Sequence, residues 1–508
     1  MLSSRRKAAR TRRWSIPVNP SGAPAWAEPA RLDDAGHSLA PATLAGAPHP
    51  LANERQNQQL FEYEKRVKDA FDNIVPVLKQ VSALQHEEDF EERAQELARQ
   101  QLGIELPGQT LSDAWVDQLD MRGLYAWCMF ETYRRFSDDF FSRQEIPTDE
   151  DFQSFLLRCG FHTMDVSPCA DGRLAHVISY VLRLPYREVR RKSYAGAMFD
   201  IEDSLEKWIE TEFFRYREGR PDTADKPTRY LKAVVYHFSS GDPEREGCAA
   251  HGSDTRRAAE SGRERLYAFQ QAVENSFCCG ASIDLLLIGL DTDTDSIRIH
   301  VADENGEIDL NTFVDTGKVY TATSSMNADQ AMRMVEKTVR EAGRGAMPGM
   351  IDLVCRLVTN NISQLEYVRR NYRGAYPDIG HAERFIGVGI GFEEIQIRNL
   401  TYFAYMNTVE EGAADLDVGV KIFTGLNVSH GLPVPVVIRF DYHGHVPGAR
   451  ERAAASCRRV AEALEARYEE LVKKGLLHTL QAIRDCAAGE RIEVLASSVY
   501  AQSSVGAH

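Results

Sequence analysis

The sequence SPCADGRL (residues 167–174) places a thiol, a carboxylate and a guanidinium at alternate positions. These groups belong to Cys169, Asp171 and Arg173. The guanidinium of arginine is a planar fork of donors that can hold both oxygens of a carboxylate and keep it ionised. A thiolate two residues away is a suitable ligand for zinc. The stretch therefore predicts a metal-binding loop with a fixed carboxylate beside the metal.

Two further candidate ligands lie downstream of this loop. His237 is near the end of the apolar run KAVVYHFSS (232–240), and Cys248 is in EREGCAAHGS (244–253). Together with Cys169 they offer two thiolates and one imidazole. Structural zinc sites usually have four protein ligands, whereas catalytic sites have three and leave one position for water. The sequence therefore predicts a catalytic centre with one Zn²⁺ per chain.

The residue types also predict what such a centre would do. Zinc acts as a Lewis acid and lowers the pKa of bound water to about 7 where its ligands are three neutral histidines. Two cysteinates would cancel the formal charge of the ion, so we expect a less acidic water and activity favoured by alkaline pH. Asp171 is close enough to accept a proton of that water and to orient a lone pair toward a substrate.

The C-x-D-x-R pattern, followed by a distant histidine and cysteine, resembles the β-type carbonic anhydrases. Longer stretches are similar to one branch of that family, the carboxysomal shell-associated carbonic anhydrases. The similarity extends from about residue 52 almost to the C-terminus. The stretches that carry it are CGFHTMDVSPCADGRL (159–174), RKSYAGAMFDIEDSLEKW (191–208), FRYREGRPDTADKPTRYLKAVVYHFS (214–239), GCAAHGS (247–253), CCGASIDLLLIG (278–289), DIGHAERFIGVG (378–389) and GFEEIQIRNL (391–400).

The resemblance implies three zinc ligands and three catalytic residues. The ligands would be Cys169, His237 and Cys248, and the catalytic residues would be the orienting pair Asp171 and Arg173, with His381 nearby. Ordinary β enzymes hold the histidine and the second cysteine two residues apart. Ten residues separate His237 from Cys248 here, so the two ligands must come from different elements, and the carboxysomal branch shares this spacing.

The implied reaction is the reversible hydration of CO2 to bicarbonate. Hydroxide on zinc would attack CO2, Asp171 would orient it, and the proton would leave to buffer by way of His381. In a carboxysome of the bacterial cytoplasm the useful direction would be the dehydration of bicarbonate, which supplies CO2 to Rubisco.

The pattern along the 508 residues predicts an α/β fold with several domains. Residues 1–50 form a basic, Pro- and Ala-rich tail that cannot pack a core, so we expect disorder there. Residues 51–145 have apolar side chains at helical spacing and predict a helical domain. Residues 146–390 alternate short apolar strands with helices and contain the zinc ligands, as expected of a β-carbonic-anhydrase-like catalytic domain. Residues 391–508 alternate likewise without C-x-D-x-R, and the resemblance implies a related C-terminal domain lacking the metal site.

Composition and charge limit the partners. The net charge is −15, although the first thirteen residues contain six basic residues and no acid. An acidic body argues against binding to nucleic acid. No apolar run approaches the roughly 18 residues of a membrane span, so we expect no membrane insertion. The resemblance implies that the tail tethers the enzyme to Rubisco or to shell proteins, and that the chain forms homodimers or multiples of them.

Two basic clusters interrupt the acidic body. Their members are Arg187, Arg190, Arg191 and Lys192 in the first, and Lys226, Arg229 and Lys232 in the second. Most such clusters are solvated faces, but the second precedes the His237 strand and could hold an anion near the active site. Because a carboxysome contains the bisphosphate substrate of Rubisco, we hypothesise that ribulose bisphosphate modulates the enzyme.

Two other functions are compatible with the same residues. One is another zinc hydrolase, which would need a separate general base that the sequence does not display. The other is a carboxysome scaffold with a structural zinc, for which His251 is the best candidate fourth ligand.

The adjacent pair Cys278–Cys279 is expected to pack in the interior. The acidic run DTDTDS (291–296) lacks the Gly and Glu of a calcium loop and predicts a turn at a strand end.

Overall fold

A computed structural model describes most of the chain after residue 45. The described residues are 46–114, 118–143, 152–185, 189–220, 223, 226–277, 282–303, 305–378, 380–390, 392–405, 409–487 and 491–499. The predictions for the first 45 residues of the tail, for Arg187 and for Cys278–Cys279 fall outside these ranges. None of the described helices is both long and apolar enough to cross a membrane.

The region after the tail is helical, as predicted. It contains α1 (Glu54–Asp72), α2 (Ile74–Ala83), α3 (Phe90–Gln101), α4 (Gly108–Asp113) and α5 (Met121–Arg143). The first helix begins at Asn53, whose side chain accepts a hydrogen bond from the backbone N–H of Gln56 and so satisfies an end group of the helix. Its apolar stripe includes Phe71, which stacks on Phe136 and on Phe385. The helices therefore pack on the C-terminal part of the chain.

The middle part of the chain contains a six-stranded sheet and the helices that connect and follow its strands. In chain order these elements are α6 (Phe152–Arg158), β1 (Thr163–Pro168), β2 (Arg190–Arg191), α7 (Ile201–Arg217), β3 (Arg229–Phe238), α8 (Thr255–Phe277), β4 (Ser282–Asp291), β5 (Ile297–Val301), β6 (Val314–Asp315), α9 (Thr316–Thr323), α10 (Ala328–Ala342) and α11 (Pro348–Tyr372). The strand order is β2-β1-β3-β4-β5-β6. The first four strands in this order are parallel, and β5 and β6 are antiparallel to their neighbours.

The C-terminal part of the chain contains a five-stranded sheet and its connecting helices. In chain order these elements are β7 (Phe385–Ile390), β8 (Thr401–Ala404), α12 (Val409–Leu426), β9 (Val434–Tyr442), α13 (Ala449–Arg467), α14 (Glu469–Lys473), β10 (Leu477–Asp485) and β11 (Glu493–Ser497). The strand order is β11-β10-β9-β7-β8, with β11 antiparallel and the others parallel. β7 lies before the boundary drawn from the sequence at residue 390, yet it pairs in this second sheet.

The two sheets repeat one topology. Read from the short edge strand, the order β2-β1-β3-β4-β5 in the first corresponds to β8-β7-β9-β10-β11 in the second, with the same strand directions. The crossover helices correspond as well, because α7 and α8 take the places of α12 and α13 in chain order. The predicted α/β class, with a related C-terminal unit, is thus confirmed.

Candidate metal centre

The three predicted ligands meet at one edge of the first sheet. Cys169 directly follows β1, and its backbone N–H donates to the carbonyl of Val235 on the neighbouring β3 at 3.2 Å. His237 is the penultimate residue of β3. Because parallel strands end at the same edge of a sheet, these two side chains are brought together by the pairing of β1 with β3. Cys248 comes from the loop between β3 and α8.

The geometry of this cluster fits a metal ion. The sulfur atoms of Cys169 and Cys248 and a ring nitrogen of His237 all lie within 4.8 Å of one another, and all three residues are buried. Neither ring nitrogen of His237 has a hydrogen-bond partner among the described residues. Nε2 of this ring lies 3.3 Å from Asp171 Oδ2, and a metal ion at the cluster would bind a ring nitrogen that otherwise makes no hydrogen bond with a described residue. Two thiolates and an imidazole are the donor set that suits zinc.

The electrostatics of the three side chains also favour a cation. A hydrogen bond from Cys169 lowers the pKa of the Cys248 thiol, and the same contact, together with burial, raises the pKa of Cys169 well above its usual range. Burial lowers the pKa of His237, but the Asp171 carboxylate and Cys169 outweigh it and raise the pKa to about 9. The three side chains therefore share protons at a buried point, which a metal ion bound by the two sulfur atoms and the imidazole would replace.

Asp171 and Arg173 form the predicted pair. The Arg173 Nε donates to Asp171 Oδ1 at 3.0 Å and its Nη2 donates to Oδ2 at 2.7 Å, while the backbone N–H of Arg173 donates to Oδ1 at 2.9 Å. Burial alone would raise the pKa of Asp171, but the Arg173 guanidinium, with His381 and His237 beside it, holds the pKa well below its usual range. Asp171 Oδ2 lies 3.3 Å from His237 Nε2. The carboxylate is therefore ionised and adjacent to the ligand cluster.

His381 lies on the other side of this carboxylate. Its Nε2 is 3.9 Å from Asp171 Oδ2, and its Nδ1 is 3.0 Å from Glu383 Oε1. Glu383 Oε1 also accepts the backbone N–H of Gly172 at 3.0 Å. A Cβ atom on Gly172 would lie 2.4 Å from Glu383 Cγ, so this close approach requires glycine. Glu383 thereby joins the loop that carries Asp171 to the segment that carries His381.

The cavity at the cluster is lined by both units of the chain. From the catalytic unit it is lined by the predicted site residues other than Arg173 and by Ala195, Gly196, Ala249 and Ala250. From the C-terminal unit it is lined by Tyr402, Val418 and Ile422. The sequence reasoning missed these three residues and Glu383. Glu383 stands two residues after His381 in a stretch already singled out, whereas nothing in the sequence marks two apolar side chains of a distant helix as part of the site.

His251, the candidate fourth ligand, is turned away from the cluster. Its Nε2 donates to the carbonyl oxygen of Gly196 at 3.1 Å, and the grouping of ligand atoms does not include it. Among the residues that the structure describes, three candidate ligands therefore meet at this cluster.

Four residues of the two basic clusters pair with carboxylates in the fold. Lys232 is buried and its Nζ lies 2.8 Å from Asp165 Oδ2. Arg190 and Lys192 both pair with Asp203. Arg229 pairs with Asp284. The strand residues of the second cluster, Arg229 and Lys232, therefore already have carboxylate partners, and the binding of an anion by this cluster stays a prediction.

The acidic turn has a structural role, as predicted. Asp293 Oδ2 accepts a hydrogen bond from Ser239 Oγ at 2.9 Å, and Asp291 Oδ2 accepts one from Ser240 Oγ at 2.8 Å. These bonds fix the first residues of the loop that leads from His237 to Cys248.

The C-terminal unit has an ion-pair network near the carboxyl ends of its strands. Arg439 on β9 lies between Glu394, which follows β7, and Asp441, whose Oδ1 is 2.9 Å from Arg439 Nε. Arg484 on β10 pairs with Asp441 Oδ2 at 2.6 Å. A guanidinium cannot ligate a cation, so the corresponding strand ends of the second sheet are unsuited to zinc.

Three family models match consecutive parts of the chain. The carboxysome shell carbonic anhydrase N-terminal model matches residues 49–141, the catalytic-domain model matches 151–381, and the C-terminal model matches 382–499. The catalytic-domain match contains Cys169, His237 and Cys248.

Curated relatives are similar over most of their length. The carboxysome shell carbonic anhydrase of Parasynechococcus marenigrum (strain WH8102) is 56% identical over 460 residues, which cover 89% of this chain and 79% of the relative. That of Prochlorococcus marinus (strain MIT 9313) is 55% identical, covering 90% of each chain. That of Halothiobacillus neapolitanus (strain ATCC 23641 / c2) is 44% identical, covering 89% and 90% respectively. The chain belongs to the carboxysome shell carbonic anhydrase family.

Proposed function

We propose that this chain interconverts CO2 and bicarbonate at a zinc centre held by Cys169, His237 and Cys248. Membership of the family makes it a carbonic anhydrase of the carboxysome in the bacterial cytoplasm. The metal and the residue roles are supported by one observation above all, the convergence of three buried ligand atoms within 4.8 Å beside a carboxylate fixed by arginine.

The residues around the proposed metal have different roles. A zinc ion at this position would supply a Lewis acid with one position left for water, and would lower the pKa of that water. Asp171 is kept ionised by Arg173, so its Oδ2 can only accept a hydrogen bond from the nucleophile and thereby orients it. Val418, Ile422 and the ring of Tyr402 give the cavity an apolar side that suits CO2 and limits the access of bulk water.

His381 is proposed to carry the proton between the site and solvent. Its Nδ1 is held by Glu383, which leaves Nε2 toward Asp171, and its side chain is 23% exposed. Burial lowers the pKa of His381, but the carboxylates of Glu383 and Asp171 raise it overall to about 9. A histidine protonated near neutral pH is a proton donor, which fits the dehydration of bicarbonate that would supply Rubisco with CO2.

The proposal is tested with purified, reduced, full-length protein of known zinc content. Stopped-flow measurement of CO2 hydration should show rapid turnover with about one zinc per chain, and X-ray absorption should show two sulfur, one nitrogen and one oxygen neighbour. Zinc bound by four protein ligands without hydration would instead support a scaffold with a structural metal. Zinc-dependent hydrolysis of esters without CO2 hydration would support another zinc hydrolase.

The proton-transfer role predicts a specific effect of pH. Hydration requires an unprotonated Nε2 to accept the proton, so kcat for hydration should rise through about pH 9, while kcat for dehydration should fall over the same range. In His381→Ala we expect kcat in dilute buffer to fall by about a hundredfold. Added imidazole should restore it, and kcat/KM should change little. An unchanged kcat in His381→Ala would show that the proton leaves by another route.

The partners are proposed on the family alone. We propose that the basic tail tethers the enzyme to Rubisco or to shell proteins, and that the chain assembles as a homodimer or a multimer of dimers. Modulation by ribulose bisphosphate remains a prediction without identified binding residues. Equal activity of dialysed protein with and without that compound would reject it.

A further inference from the structure

Asn399 occupies an unusual position between the two units. It follows β7 in the C-terminal unit and precedes β8, and its backbone has a φ of 57°, in the left-handed region that few residues other than glycine adopt. The residue is only 4% exposed. A buried non-glycine residue with this conformation is maintained only where surrounding contacts require it.

Those contacts lead to both catalytic segments. The backbone N–H of Asn399 donates to the carbonyl of Gly172 at 2.9 Å, between Asp171 and Arg173. The side-chain Nδ2 donates to the carbonyl of Gly380 at 3.0 Å, immediately before His381. One residue of the C-terminal unit therefore holds the backbone next to the orienting carboxylate and next to the proposed proton carrier.

The side-chain amide of Asn399 also binds a carboxylate. Asn399 Nδ2 also donates to Asp378 Oδ2 at 3.1 Å, so both hydrogens of this nitrogen are used. The other oxygen of Asp378 accepts from Arg398 Nη1 at 3.0 Å, and the guanidinium of Arg398 lies over the ring of Tyr376. Asp378 and Gly380 are thus both held by hydrogen bonds from Asn399 shortly before His381.

The chemistry of this position favours asparagine over its alternatives. Glycine can adopt the same φ but offers no donor, and aspartate can adopt it but would face the carboxylate of Asp378 without a proton to share. Asparagine tolerates the left-handed conformation and supplies two donors on one nitrogen. Asparagine therefore satisfies both the left-handed backbone conformation and the hydrogen bonding at this position.

We propose that Asn399 is a positioning residue for catalysis, which sets the distance and angle of His381 relative to Asp171. The inference rests on the proposed role of His381 in proton transfer. Asn399 makes no contact with the three ligands among the described hydrogen bonds, so its loss should leave the metal in place. What should change is the step that depends on where His381 stands.

The test compares Asn399→Gly with a matched control. Glycine keeps the φ of 57° accessible and removes only the side-chain hydrogen bonds. Asn427→Gly removes a second buried amide of the same unit, whose Nδ2 donates to the carbonyl of Pro433 at 2.7 Å away from the site. Zinc content, melting temperature, kcat and kcat/KM for CO2 hydration are measured for both variants, in dilute buffer and with added imidazole.

In Asn399→Gly we expect one zinc per chain and a kcat/KM within about threefold of wild type. In dilute buffer we expect kcat to be lower by about tenfold to a hundredfold, as is usual for a misplaced catalytic group, and imidazole should restore it. The control Asn427→Gly should keep its kcat. The ratio of the variant's kcat to the wild-type kcat in dilute buffer tests the inference, whereas the wild-type kcat/KM tests the proposed function separately.

Three results would overturn the inference. A kcat equal to wild type would show that the amide does not position His381. A parallel loss of zinc, kcat and kcat/KM would indicate a role in holding the fold. A fall in kcat that imidazole does not restore would place the effect outside proton transfer. If Asn399→Gly does not fold, Asp378→Asn, which keeps Asn399 but removes the charge behind its amide, should show a smaller loss of the same kind.

Discussion

Cys169→Ser will bind almost no zinc and will lose CO2 hydration by at least about a thousandfold, because water without a metal has a pKa near 15.7 and is not ionised at neutral pH. The substitution replaces one sulfur by oxygen in a side chain that is only 5% exposed, so the change in volume is small. It removes one of the two thiolates on which the proposed centre depends. Zinc per chain and stopped-flow hydration are measured on the same preparation.

The matched control is Cys457→Ser. Cys457 is a buried thiol of the C-terminal unit whose Sγ donates to the carbonyl of Ala482 at 3.1 Å, a bond that a serine hydroxyl can also make. We expect this variant to retain zinc and activity. If Cys169→Ser kept both as well, the ligand set proposed here would be wrong; if it lost zinc but still hydrated CO2, the reaction would not depend on the metal.

The candidate ligand cluster and the aspartate–arginine pair beside it could largely be predicted from the sequence, because most of their members stand in a short, chemically distinctive pattern. Cys169, Asp171 and Arg173 lie within five residues, and His237 closes an apolar strand. The structure adds why they meet: β1 and β3 are parallel neighbours whose ends share one edge. The topological repeat of the two sheets was implied by the resemblance alone, since residues 391–508 contain no second C-x-D-x-R pattern.

The rest of the site is formed by residues that are far apart in the sequence and could not be predicted from it. Val418 and Ile422 belong to a helix of the second unit, and an apolar residue on a helix has no feature that distinguishes a cavity wall from a core position. The ion pairs of the basic clusters could not be predicted for a related reason. The sequence does not show which carboxylates lie near a run of basic residues in the fold, and Asp165, Asp203 and Asp284 pair with four residues of these clusters.

Asp171→Asn will retain zinc but will lose kcat/KM by about a hundredfold to a thousandfold, the cost typical of removing one fixed electrostatic group from an active site. An amide cannot offer two negatively charged oxygens to Arg173, and it can donate toward the ligands where the carboxylate only accepted. The side chain of Arg173 is 1% exposed, so the variant also leaves a buried charge without its bidentate partner. We expect a loss of unfolding free energy of roughly 3–5 kcal/mol from that cause.

Stability and catalysis can be separated with another buried aspartate–arginine pair. Asp441→Asn removes a carboxylate that Arg484 holds at 2.6 Å in the C-terminal unit, away from the candidate ligand cluster. Both variants should unfold more readily, but only Asp171→Asn should lose kcat/KM per bound zinc. Arg173→Lys should lie between them, because lysine keeps the charge that ionises Asp171 and lacks the planar fork that orients it. Equal losses of kcat/KM in Asp171→Asn and Asp441→Asn would mean that the pair at the site stabilises the fold and does not orient the nucleophile.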